Sequence, residues 1–187
     1  MMQQQLAPTV ADVNTVSSRI LIAVDDSGHA ARALRYVGTL MRDMRDAHVT
    51  LFHVLRPMPR ELLEHGGSED PRAEARLADN LKKEQEDWIK SESLVEYPIL
   101  LKALKVFGRT GFPLDRVTLK FGHEDDITRD ILREARNGGY GTIVVSLHDS
   151  KRLKRFFGGG IAVKLLRDAT GFTLWGWNDI ARKRGLG

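Results

Sequence analysis

The chain has 187 residues, 42% hydrophobic and 29% charged, a balance that supports one globular domain with a buried core and excludes a disordered chain. Its 29 Lys and Arg against 25 Asp and Glu leave a net charge of +4, which permits an anionic ligand without indicating nucleic acid. The absence of cysteine excludes disulfides and cysteine-ligated zinc or iron–sulfur centres, and it fits a reducing cytosol.

The stretch Met1 to Val16 has no basic n-region and no continuous apolar run, so it does not read as a signal peptide. Its glutamines, its proline and its scattered polar residues predict a disordered tail over residues 1–17. No apolar run approaches the roughly 20 residues of a membrane helix, and the expectation is a soluble, cytoplasmic protein. Ile20-Leu21-Ile22-Ala23-Val24 predicts a strand buried on both faces, ended by Asp25-Asp26-Ser27-Gly28. Ala31, Leu34, Val37 and Leu40-Met41 recur at helical spacing, with Ser27 placed to cap. Val49 to Leu55 is the next strand, and strand–helix–strand over this length predicts a parallel βαβ unit.

Pro57 and Pro59 interrupt the pattern. A charged helix from about Pro71 to Ser93, with Leu77, Leu81 and Trp88 on one stripe, is expected to precede a second from about Tyr97 to Phe107. Gly108 and Gly111 end it, Val117 to Phe121 predicts a third strand, and Gly122 is expected to turn the chain. A helix carrying Ile127, Ile131, Leu132 and Ala135 stops at Asn137-Gly138-Gly139. Thr142 to Val145 predicts a fourth strand, Ala162 to Arg167 a helix, and Phe172 to Trp177 a fifth strand. The fold class is α/β: one doubly wound domain over residues 18–178, with a five-stranded, mostly parallel, Rossmann-like sheet and helices on both faces. A helical insertion over about 58–96 and a basic C-terminal tail over 179–187 complete the expected organisation.

Ligands of such sheets sit beyond the carboxyl ends of the strands, where strand order reverses. Two segments are expected to meet there. Asp25 follows the first strand and reads as an acceptor for a ribose hydroxyl or base amine, or else as a turn residue. After the fourth strand come Ser146-Leu147-His148-Asp149, the basic run Lys151, Arg152, Lys154 and Arg155, and then Gly158-Gly159-Gly160 opening a helix. Exposed N–H groups at such a helix start suit phosphate, and glycine there is also simply common.

These residues resemble the universal stress protein family. Asp25, with Ser27 two residues on, is similar to the family's opening. The segment from Ile143 to Leu166 is similar to its closing motif, G-x2-G-x9-G-[ST], with Val144, Val145, Leu153, Ile161 and Leu165 in the hydrophobic frame. Laid on that motif, its four positions fall on Ser146, Asp149, Gly159 and Gly160, so three of four are changed. The resemblance implies an adenine-nucleotide-α-hydrolase-like fold and a degenerate nucleotide site of Asp25, Val54, Ser146, Asp149, Gly158, Gly159, Gly160 and Ile161. A carboxylate at Asp149 repels a triphosphate unless a metal intervenes, and a side chain in place of glycine resists φ > 0. Two functional classes therefore stand. One is a non-catalytic stress-response protein acting as a dimer through protein partners. The other is a sensor or weak ATPase holding ATP or AMP with magnesium. A third alternative is a regulator that meets an anionic partner through the loop 151–155.

Other groupings carry less. Ser27 beside His29 reads as a cap, since neighbours at a helix start point in different directions and no third group orients them. His123-Glu124-Asp125-Asp126 reads as acidic residues at a helix start and not as a metal site. His53, inside a strand, reads as packed, and His148 lies in the candidate loop. The basic runs Lys151–Arg155 and Arg182-Lys183-Arg184 lack interleaved aromatics, which argues against nucleic acid. Trp175 and Trp177 alternate on the fifth strand and share a face. With Phe172 and Leu174 they are the expected homodimer contacts, because family members commonly dimerise through that strand.

Overall fold

β-branched and leucine-rich runs bury best when both faces of a strand are covered, and all five such runs form one parallel sheet in the computed structural model. The structure describes residues 17–26, 30–64, 66–123, 126–146 and 161–177. The strands are β1 (Arg19–Ala23), β2 (His48–Val54), β3 (Val117–Gly122), β4 (Thr142–Ser146) and β5 (Thr173–Trp177), in the order β3-β2-β1-β4-β5. The helices are α1 (Ala30–Met41), α2 (Pro71–Gly108), α3 (Ile127–Asn137) and α4 (Ile161–Asp168). Every neighbouring pair of strands is parallel, and the predicted boundaries move by only a residue or two.

Side-chain alternation divides the interior into two cores. Ile20, Ile22, Val24, Val49, Leu51 and Val144 face one side, where Leu34 and Val37 of α1 and Leu100 and Phe107 of α2 cover them. Leu21, Phe52, Ile143 and Val145 face the other side, under Ile131, Leu132 and Ala135 of α3 and Leu165 of α4.

Two predictions need correction. The expected pair of helices is a single 38-residue α2 with Pro98 inside it. Proline removes the hydrogen bond that would reach back to Leu94, but both Pro98 and Leu94 are exposed, on a face open to solvent where the loss is tolerated. At 1.5 Å per residue α2 is about 57 Å long, against roughly 17–23 Å for these strands. Its buried positions are confined to Glu96, Leu100, Ala103 and Phe107. The first two-thirds therefore overhangs the sheet, held partly by the preceding segment, where Gln85 donates to the Leu62 carbonyl at 2.6 Å. Gly108 ends α2 and Gly111, at φ 84°, turns the chain after it, as the sequence predicts.

Gly122 does not act as a turn glycine. It is the last residue of β3, and a Cβ there would fall within 2.0 Å of Asp130 Oδ2 and 2.6 Å of the Phe52 ring. Close approach of α3 to the sheet is what excludes a side chain.

Candidate functional site

Because β2 and β4 flank β1, the chain runs one way from β1 to β2 and the other way to β4, which makes the carboxyl end of the β1/β4 pair the switch point. Asp25 follows β1 there, half-buried, and Ser146 ends β4. The register pairs Ile22 with Val144, so continuing it sets Val24 level with Ser146 and brings the Asp25 turn beside the exit of β4. Val54 closes β2 on the same edge, half-buried against the α3/α4 core. Three of the predicted residues are thus brought together. Asp149, Gly158, Gly159 and Gly160 lie outside the described residues, as do Lys151, Arg152, Lys154, Arg155, Ser27, His29 and His148; Ile161 begins α4.

Ser146 presents its side chain in a direction the motif comparison alone did not use. Alternation from Val144 puts it on the α1 side, beside its register partner Trp177. Ser146 Oγ and Trp177 Nε1 are both buried without a hydrogen-bond partner among the described residues. The Cβ of Ser146 therefore lies on the Trp177 side of the sheet.

The start of α3 borders the same edge and is already occupied by its own carboxylate. Asp126 Oδ1 accepts from the N–H groups of Thr128 at 2.9 Å and Arg129 at 3.1 Å, and Lys164 of α4 reaches Oδ2 at 3.2 Å. Burial pushes the Asp126 carboxyl up, but the Arg129 N–H, the Lys164 ammonium and the Thr128 N–H outweigh it and hold it below the usual range. Among the described residues no group of three potential metal ligands occurs. No described helix is long and apolar enough to cross a membrane.

His53 is buried, in agreement with its reading as a packed residue, but its partners were not foreseen. Nδ1 lies 2.8 Å from the Val24 carbonyl, and Nε2 lies 2.6 Å from Glu96 Oε2 of α2. Arg56 Nε reaches Glu96 Oε1 at 2.9 Å and Glu92 Oε1 at 2.6 Å. A signal for this was legible: Glu96, Leu100, Ala103 and Phe107 share one helical stripe, with a carboxylate at a core position.

On the far side, β5 is an edge strand, as expected. Trp175 packs on the α1/α2 core, and the Trp177 ring lies 5.6 Å from that of Tyr36 on α1, so the two tryptophans do share a face. Phe172 and Leu174 pack on the opposite core. All four are half-buried within the chain, so only part of each remains for a partner. Tyr36 and Leu40, 54% and 51% exposed, extend the apolar surface outward from Trp177.

This architecture recurs in solved proteins. The chain is similar to a universal stress protein from Burkholderia pseudomallei, at 21% identity and TM-score 0.52, covering 87% of this chain and 97% of that one. It is similar to the universal stress protein of Archaeoglobus fulgidus in complex with dAMP, at 18% identity and TM-score 0.51, covering 84% and 95%. A universal stress protein in complex with cAMP aligns at 12% identity and TM-score 0.53, covering 85% and 94%. A comparison with curated proteins finds no match. The family model for the universal stress protein family matches residues 17–171, nearly the whole of the described fold, and the chain belongs to that family.

Proposed function

We propose that the protein is a non-catalytic, cytoplasmic stress-response module that acts as a homodimer through protein partners, with an altered nucleotide site. The observation that carries this reading is the exit of β4. At the motif's first glycine position stands Ser146, its hydroxyl buried toward Trp177, and the sequence adds Asp149 and Gly160 at two further positions. A carboxylate at the second glycine position opposes a triphosphate, and a glycine at the last lacks the phosphate-facing hydroxyl. No catalytic residue is assigned.

A second reading, an ATP or AMP sensor using magnesium, is favoured by the position of Asp25 at the switch point and by the dAMP and cAMP complexes of proteins with this fold. Calorimetry separates the two. Wild-type protein at tens of micromolar gives little heat with MgATP or AMP, and a Kd below about 1 µM, worth about 8 kcal/mol, overturns the first reading. Ser146→Gly, Asp149→Gly and Gly160→Ser together then create or tighten binding. A folded triple variant without affinity shows that this loop was not the limiting defect. The basic residues Lys151, Arg152, Lys154 and Arg155 support a third role, contact with an anionic partner.

The dimer is proposed to form across β5, its open N–H and C=O groups pairing with a second copy about a two-fold axis. Trp175→Lys with Trp177→Lys lowers the mass seen in light scattering toward the monomer while circular dichroism is kept. A wild-type monomer at tens of micromolar refutes it.

A further inference from the structure

The buried polar chain at the carboxyl end of β2 lies beside the candidate site and is not used by it. The side chains of His53 and Glu96 are each 6% exposed. A carbonyl oxygen can only accept, so His53 Nδ1 donates to Val24. At 2.6 Å, Nε2 and Glu96 Oε2 cannot face each other with lone pairs, so one proton lies between them. Arg56 donates to the other oxygen of Glu96, so both oxygens of that carboxyl group are engaged. The ring is clamped between Glu96 of α2 and the Val24 carbonyl, one residue past β1.

Among the described residues, the groups facing the ring come from three places in the fold. From α2 come Glu96, Glu92 through Arg56, and Tyr97, whose ring is 6.4 Å from that of Phe121. From β3 comes Phe121, edge-on to His53 at 6.1 Å. From the residue just past β1 comes the Val24 carbonyl, followed in the chain by the Asp25 carboxylate.

Val24 is held at both of its backbone polar atoms. Its N–H donates to the Phe52 carbonyl at 2.8 Å, and its own carbonyl takes the His53 proton. That carbonyl is half of the Val24–Asp25 peptide, so the plane from which Asp25 departs is fixed by a ring that α2 holds. We infer that His53 is a positioning residue coupling α2 to the turn that bears Asp25: Glu96 holds the ring, and the ring holds the Val24 carbonyl. Because the amino-terminal two-thirds of α2 overhangs the sheet, a displacement of that arm is felt at the Val24–Asp25 peptide through this joint. The inference goes beyond the proposed function and does not depend on nucleotide binding.

Nitrogen-15 NMR of the histidine rings in the full chain, with His53→Gln to assign the signal, tests it without any ligand. Nδ1 of His53 carries a proton in the folded wild type. In Glu96→Gln the ring loses the carboxylate that anchors it, its Nδ1 signal shifts, and hydrogen exchange over residues 24–26 accelerates about tenfold while Leu51 is unaffected. Should Glu96→Gln fail to fold, Arg56→Met, altering a half-exposed side chain, produces the same two changes at smaller size. Wild-type protein with a bare Nδ1 overturns the inference. So does unchanged exchange over 24–26 in a folded Glu96→Gln or Arg56→Met protein.

Discussion

Gly122→Ala probes the contact that seats α3 on the carboxyl end of the sheet. The added methyl would lie 2.0 Å from Asp130 Oδ2 and 2.6 Å from Phe52 Cζ, and neither neighbour can yield cheaply. Phe52 is 2% exposed and packed in the α3/α4 core, while Asp130 is 1% exposed and bound to Arg133 at 2.7 Å. Overpacking of this kind costs about 1–3 kcal/mol, and the need to displace a buried carboxylate places the cost near the top of that range, about 3 kcal/mol. At roughly 2–4 °C per kcal/mol for a chain of this size, Tm falls by about 6–12 °C. Thermal and urea unfolding followed by circular dichroism measure it, with Gly67→Ala as the control, since a methyl there meets nothing within 4 Å. A Gly122→Ala protein within about 0.5 kcal/mol of wild type refutes the claim that close approach fixes this glycine.

Two further outcomes concern titratable groups. Burial pushes the Tyr140 hydroxyl up, its hydrogen bond to Thr50 acts against that shift, and its hydrogen bond to Glu134 adds to it. The stability linked to that shift is present below the ordinary tyrosine range near pH 10 and lost as pH rises through the elevated value. Tyr140→Phe therefore flattens the alkaline limb of the stability curve and costs about 1–2 kcal/mol at neutral pH by stranding Thr50. The lowered Asp126 carboxyl works in the opposite direction, its share of stability present above about pH 4 and lost as pH falls through the depressed value. Asp126→Ala costs about 1–2 kcal/mol through the α3 cap, whereas Asp126→Asn keeps much of the cap and removes this share of the acid limb.

The strands were legible because each is a short apolar run buried on both faces, and that pattern survives without knowledge of its neighbours. α2 was misread because Pro98 breaks a helix only where its missing hydrogen bond cannot be replaced, and exposure of the outer face is a property of packing. The adjacency of Asp25 and Ser146 followed from the switch-point rule, since it needs only strand order. The direction of Ser146 could have been read from alternation with Val144, but its burial toward Trp177 needed the register of β4 with β5. The partnership of His53 with Glu96 spans 43 residues, and nothing local in either segment names the other.

Among the described residues the sheet ends in two edge strands, and their side chains favour β5 over β3 as the one that pairs. On β3, Lys120 stands exposed and bound to Glu134 at 2.8 Å, and Thr118 is exposed beside it. An incoming strand would set its own side chains against that charge, a common device for keeping an edge single. The other face of β3 packs against α2, with Val117, Leu119 and Phe121 half-covered there. β5 reads Thr173-Leu174-Trp175-Gly176-Trp177, with no charge and no proline, so no side chain on it opposes a second copy. Its outward apolar surface continues through Trp177 onto Tyr36 and Leu40 of α1, two large side chains more than half exposed on a helix whose other face is core. A charge on β5 is therefore the more damaging change for the proposed dimer. Trp177→Lys lowers the mass seen in light scattering, whereas Lys120→Leu on β3 leaves it unchanged. A mass that falls only with changes on β3 would move the interface to the opposite edge.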